Sequence, residues 1–370
     1  METQDLIYLI SCAVNGGKPD PERVAGMDMD AIYTLASRHM LAATVAPALK
    51  AAGIQDKRFA KAFEHSALKS STMDMEMDAL FVELDAAGIW HMPLKGIVLQ
   101  HLYPVYGMRQ MSDHDILFDA KRAEDVKSIM EGLGFSTEHF GTSNHDVYHK
   151  EPVSNFEMHS ALFGPGHDEK LYEYYKVVEK RLLGDGYEKH FSPEDFYLYV
   201  TAHEYKHYTG GGTGLRFVLD TYVYLQKKKL DMDYVTAEAE ELGMAEFEAS
   251  NRSLAQHLFS GGELSQADKE MLEYILSSGV YGTMAHRVEN KIRENGGGKI
   301  RYALNRFFVP ISKKNKNYAV MAGYYPFFYN HKILLPILPF YRTFRAMKSG
   351  KFKAEARAIK NAKTKSKEKK

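Results

Sequence analysis

Cysteine is nearly missing from this chain: Cys12 stands alone in 370 residues. A single thiol excludes an internal disulfide framework and suits a reducing compartment. Net charge is missing too, with 48 Lys and Arg against 48 Asp and Glu, so no global attraction to nucleic acid is expected. No run of eighteen or more apolar residues occurs, so no membrane span is expected. The opening METQDLIYLISCAVNGGKPD has acids where a secretion signal needs positive charge, and no such signal is read there. Internal repeats are absent. The chain is therefore read as cytoplasmic. Its 45% hydrophobic and 26% charged residues are ordinary for a globular protein, and its length allows two or three domains. The charge balance hides an asymmetry. Residues 341–370 carry twelve Lys and Arg and two Glu, a net of +10, which leaves residues 1–340 near −10.

Periodicity divides the chain. Leu6, Ile7, Leu9 and Ile10, then Ile32, Leu35, Ala36, Met40 and Leu41, recur at helical spacing on either side of the Gly16-Gly17 and Pro19-Asp20-Pro21 breaks. Asp56 to Ala87 reads as one long helix closed by Gly88. Ile89–Leu94 reads as a short strand entering a Lys95-Gly96 turn, with a helix over 97–103 behind it. Lys121–Gly132 reads as a helix. The runs 135–140, 145–149 and 153–159 read as strands. In the last, Asn155, Glu157 and His159 share one face and Phe156 and Met158 the other, the alternation of a half-buried strand. Helices are expected over 168–180, 193–208, 215–228, 233–259, 265–277 and 283–294, and a flexible joint at Gly296-Gly297-Gly298. The division expected is an N-terminal helical region over 1–87, a catalytic core over 88–165 and a second helical region over 166–296. An aromatic, Pro-rich extension over 297–346 and a basic disordered tail over 347–370 follow.

Asp113 and Asp115 are spaced i, i+2 in an apolar run, so on a strand they point the same way. Adjacent carboxylates repel unless something positive sits between them. Hard oxygen ligands of this kind suit Mg²⁺. Two solvated acids at a strand end are the plain alternative.

Glu157 completes a familiar order: glycine turn, helix, Asp-x-Asp strand, then a third acid on a later strand. In this the chain resembles the polymerase-β-like nucleotidyltransferase superfamily, and more closely the family of uncharacterised nucleotidyltransferases. The resemblance rests on Leu94-Lys95-Gly96, Tyr103-Pro104, Arg109, Asp113-His114-Asp115-Ile116-Leu117 and Phe156-Glu157-Met158-His159. It continues through Ser192-Pro193-Glu194-Asp195, His203, His207 and Leu215-Arg216-Phe217-Val218-Leu219-Asp220. It covers most of residues 30–340, most strongly 90–225. It implies an α+β fold, a small mixed sheet flanked by helical regions. It also implies transfer of an NMP from an NTP to a hydroxyl of a small-molecule, sugar or protein acceptor. Asp113, Asp115 and Glu157 would hold Mg²⁺ or Mn²⁺, and Lys95, Gly96, Arg109 and Ser112 would meet the phosphates. His159, His203, His207, Arg216 and Asp220 are substrate-side candidates, with Asp220 expected to fix a histidine tautomer or pair with Arg216. The wider superfamily usually follows its turn glycine with Gly or Ser. Here Ile97 follows Gly96, which leaves the triphosphate grip open. A silent nucleotide- or partner-binding module on the same scaffold is the alternative.

His203-Glu204-Tyr205-Lys206-His207 also matches the zinc-protease helix motif. Thr213 stands where a third histidine would be needed, and a catalytic zinc keeps three protein ligands. Phe196, Val200, His203 and His207 fall on one helix face beginning at an N-cap Ser192, so both histidines are expected to point inward and Glu204 to be incidental. Thr209–Gly214 is expected to be a flexible loop. His91, His101, His139, His145 and His149 are scattered, and no metal site is read into them. The aromatic stretch 318–344 is expected to pack back onto the helical region. The basic tail offers contact with RNA or an anionic membrane surface.

Overall fold

In the computed structural model of the chain, residues 1–164, 168–294, 296, 298–312, 318–348 and 351–362 are described. The sheet has five strands: β1 (His91–Pro93), β2 (His114–Phe118), β3 (Ser136–His139), β4 (His145–Lys150) and β5 (Ser154–His159). Their order is β1-β2-β5-β4-β3, and β2 and β5 run parallel while the other neighbours are antiparallel. The protein is thus α+β, a mixed sheet flanked by helices on both sides in sequence.

Every residue of β2 is buried, the mark of a strand covered on both faces. On one face Ile116, Phe118, Phe156 and Met158 pack against Leu80 and Leu84 of the long helix Lys57–Ala86 and Val126 and Met130 of the helix Ala123–Gly132. Asp56 caps the long helix, its Oδ1 accepting from Arg58 N at 2.9 Å. On the other face Leu117 meets Phe196, Leu198 and Tyr199 of the helix Pro193–Gly210. Alternation thus leaves Asp115, Glu157 and His159 facing that helix. The helix begins where its sequence predicts: Ser192 Oγ accepts from Asp195 N at 3.0 Å, with Pro193 in the first turn.

The helices before and after the sheet share one core. Leu6, Leu9, Ile32 and Val45 pack with Leu215, Leu219, Leu254 and Ile275. The single helix expected over 233–259 is two, Met232–Leu242 and Ala245–Ser260. Gly243 breaks it at φ +72°, a left-handed turn that glycine takes without strain, and Met244 N closes back on Ala239 O. The glycine loop is not the loose segment expected. Residues 211–214 are buried, and a Cβ on Gly212 would lie 2.1 Å from Ser278 Oγ. These glycines are there for close packing. The aromatic extension forms its own small core of Tyr329, Leu335 and Leu338 instead of joining the main helical core. Gly297 of the expected joint and tail residues 363–370 lie outside the described residues. No described helix is long and apolar enough to cross a membrane.

Candidate active site

The bend at Lys95 and Gly96 is tied to β2, with Leu94 N donating to Asp115 O at 2.9 Å. Lys95 opens the six-residue helix Lys95–Gln100 at φ +40°, a region costly for a side chain bearing Cβ. A Cβ on Gly96 would lie 2.7 Å from Arg109 Nη1 and 2.8 Å from Met111 Cε, so glycine lets this loop close over the bend. Lys95 Nζ then reaches Asp115 Oδ1 at 2.5 Å.

Asp115 and Glu157 are register partners across the parallel β2–β5 pair, so their side chains rise from the same face. His159 lies two residues beyond Glu157. Its Nε2 donates to Asp115 Oδ1 at 2.8 Å and lies 3.5 Å from Glu157 Oε2. Burial works to raise the Asp115 pKa, but Lys95 and His159 hold it well below the usual carboxylate range. Burial opposes the His159 charge, yet Asp115 and Glu157 raise its pKa. Asp113, just before β2, has the opposite fate. Burial, and then Asp115 and Glu157, push it up to about 6. Among the described residues its carboxylate has no hydrogen bond or ion pair.

The facing helix supplies a basic wall. His203 Nε2 lies 3.3 Å from Lys95 Nζ and 3.3 Å from His207 Nε2. Burial and the neighbouring Lys95 hold His203 well below the ordinary histidine range, and burial and Lys206 bring His207 down to about 4. Lys206, its Nζ 5.9 Å from the Phe163 ring centre, is brought down to about 8 by burial and by Lys95.

The remaining candidates are engaged with other partners. Arg109 forks onto Asp220, Nε to Oδ1 at 2.8 Å and Nη2 to Oδ2 at 2.9 Å, and Tyr103 OH donates to Oδ1 at 2.8 Å. Asp220 therefore neither orients a histidine nor pairs chiefly with Arg216, whose Nη1 donates to Gln110 O at 2.8 Å. A bidentate fork needs a planar partner within reach, and the helix Leu215–Lys227 presents Asp220 to Arg109. Ser112 Oγ meets Met40 Sδ at 3.7 Å, and its carbonyl accepts from Lys69 Nζ. Glu204 points away from both histidines. It is fully buried, accepts from Asn251 Nδ2 at 3.1 Å, and burial raises it to about 8. The zinc-hydrolase arrangement is thus not assembled.

Among the described residues, the acids and histidines whose ligand atoms lie within 4.8 Å of one another are His145, Glu157 and His159. The trio Asp113, Asp115 and Glu157 does not form such a group; Lys95 holds Asp115, and His159 lies between Asp115 and Glu157. His145, one of several histidines scattered in sequence, joins the site through the β4–β5 register, which sets it directly opposite His159. Lys206 joins it from within the protease-like motif, on the helix that faces the sheet.

A family model described as an uncharacterised nucleotidyltransferase matches residues 25–260, more than half of the chain. Comparison with curated proteins and with solved structures gives no match.

Proposed function

The chain belongs to the uncharacterised nucleotidyltransferase family, and from that premise we propose that it moves an NMP from an NTP to a hydroxyl of a small-molecule, sugar or protein acceptor. The observation that carries the reading is the shared face of Asp115 and Glu157, with Asp113 unpaired beside them. An unpartnered carboxylate held up by two others is a group short of positive charge, and the donor set is hard oxygen. That donor chemistry suits a divalent cation of the Mg²⁺ or Mn²⁺ kind, which would have to displace Lys95 from Asp115 and draw the three carboxylates together. Asp113, Asp115 and Glu157 would hold it. When bound, the cation offsets charge on phosphate oxygens and makes the acceptor hydroxyl more acidic.

The chain's own groups do the rest. Lys95 turns its ammonium from Asp115 to a phosphate oxygen of the incoming NTP. Lys206 and His203 add donors from the opposite wall, where low dielectric strengthens each contact. His159 Nε2 holds its proton between Asp115 and Glu157 and keeps the two acids in place. Arg109, bound to Asp220, holds the 108–112 loop over Gly96 and acts on the phosphates only through that position. The free Cys12 suits the cytoplasm.

One observation favours the silent-module reading: Lys95 already neutralises Asp115. One measurement tests the ligand assignment, and a second separates the two readings. Mg²⁺-dependent binding of ATP or another NTP is expected to vanish in D113N/D115N; if it persists, these ligands are wrongly assigned. Pyrophosphate release with an acceptor screen is expected for the transferase and absent for the module.

A further inference from the structure

A water-exposed helix ordinarily turns its apolar stripe inward. The helix Leu338–Lys348 buries Leu338 and Pro339 against the small core around Tyr329 and Leu335, then presents a second apolar stripe to solvent. Phe340, Tyr341, Phe344 and Met347 are exposed, Phe344 by 69% and Phe340 by 65%, although Phe340 keeps an edge on Phe307 and Tyr341 on Phe328. At 100° per residue they fall within roughly 120° of arc. Ile337, at the end of the preceding turn, is 55% exposed, and Ile333 is 88% exposed. Arg345 stands exposed at the edge of the stripe and Lys348 within its arc, with Lys332 exposed near Ile333.

The sequence that carries this stripe is strongly basic. Residues 295–354 contain twelve Lys and Arg and not one Asp or Glu. We propose that the outward face of residues 333–348 docks on an anionic lipid bilayer, its aromatic and aliphatic side chains entering the interface and its cations meeting the headgroups. Phe, Ile and Met edges flanked by Arg and Lys are the composition of an interfacial helix. The excess of Lys and Arg, with Glu355 held by Arg306, complements a negatively charged leaflet. The same charge disfavours a second copy of this chain, since a two-fold contact would set these cations against themselves. RNA is the weaker fit, because Ile333, Ile337 and Met347 offer bases neither stacking planes nor hydrogen bonds. The docking is peripheral: no described helix spans a bilayer, and Pro336 and Pro339 keep the helix short.

Co-sedimentation of the full chain with phosphatidylcholine vesicles containing about a third phosphatidylglycerol tests this. Binding is expected to exceed that to pure phosphatidylcholine at least about tenfold and to weaken in high salt. F340S/F344S changes two exposed rings and is expected to retain the circular dichroism of the parent while losing vesicle binding about tenfold or more. R345Q/K348Q is expected to weaken it roughly twentyfold, at about fivefold per cation. Absence of vesicle binding overturns the proposal. So does binding unchanged in F340S/F344S, binding indifferent to anionic lipid, or capture of homopolymer RNA without vesicles. An F340S/F344S variant that turns a dimer into a monomer, with no vesicle binding by the parent, overturns it in favour of self-association.

Discussion

Lys95 Nζ lies 2.5 Å from Asp115 Oδ1, so the cation nearest the acidic face belongs to the protein itself. The ammonium competes with any metal for Asp115 and is also the closest donor for an incoming phosphate. Lys95→Met separates the two roles. Without nucleotide, the variant is expected to bind Mg²⁺ or Mn²⁺ more tightly than the parent, because one competitor for Asp115 is gone. With nucleotide, kcat is expected to fall roughly 10²–10³-fold, the usual loss when one preorganised donor is removed. Titration calorimetry with the metal alone and steady-state kinetics read the two effects. Unchanged metal affinity would mean that the ion pair is bystander packing.

Glu204 makes a pH prediction away from the acidic face. Burial raises it to about 8, and among the described residues Asn251 is its hydrogen-bonding neighbour. In the unfolded chain it titrates near 4.5. Below that pH both states are protonated and Glu204 has no linkage effect. As pH rises from there, the unfolded state gives up its proton first, so stability falls by roughly 1.4 kcal/mol per pH unit until the folded group also ionises near 8. Glu204→Gln removes the titration and keeps the shape. It is expected to unfold at a higher temperature than the parent at pH 8, and by a smaller margin at pH 5. Its nucleotidyl transfer is expected to stay within about twofold of the parent, whereas a zinc hydrolase would lose its base.

What sequence showed and what it hid divide along one physical line. Local periodicity reveals which side of an element a residue occupies. Phe156 and Met158 inward with Glu157 outward was legible, and so was the Ser192 cap. Glycine was harder. Gly243 breaks a helix and Gly212 permits close packing, yet both read alike as small, permissive residues, because their reasons lie in distant Ser278 and in a left-handed φ. Pairing between elements was hidden as well. Asp220 finds Arg109, and His145 finds His159, only after the β4–β5 register and the packing of the helix Leu215–Lys227 are set. The acidic face was legible in its members but not in its internal counter-charges, Lys95 and His159.

His145 tests the metal preference of this face. Its Nε2 lies 3.8 Å from Glu157 Oε2 and adds an imidazole nitrogen to the acidic face, whereas the carboxylates alone suit Mg²⁺. Imidazole binds Mn²⁺ and later transition metals better than Mg²⁺. His145→Ala is therefore expected to lower Mn²⁺ affinity about tenfold or more and leave Mg²⁺ affinity within about twofold. Glu157→Gln is expected to weaken both. Equilibrium dialysis with each metal alone decides it, and equal loss of both metals in His145→Ala would show that the histidine only shapes the pocket.

The Arg109–Asp220 fork sets the last expectation. Both groups are almost wholly buried, and Tyr103 adds a third member. Cutting one partner strands the other charge in low dielectric. Asp220→Ala is therefore expected to cost about 3–5 kcal/mol in urea unfolding. Arg109→Met alone should cost a similar amount. The double variant removes both charges together and is expected to recover much of the loss, a strongly non-additive cycle. If Arg109 acts by holding the loop at Met108–Ser112 over Gly96, the double variant regains stability but stays slow, because methionine cannot fork the loop to the helix. If Arg109 instead contacts phosphate directly, Arg109→Lys should retain most of the turnover despite the lost fork. Urea midpoints and kcat measured on the parent and the four variants distinguish these outcomes.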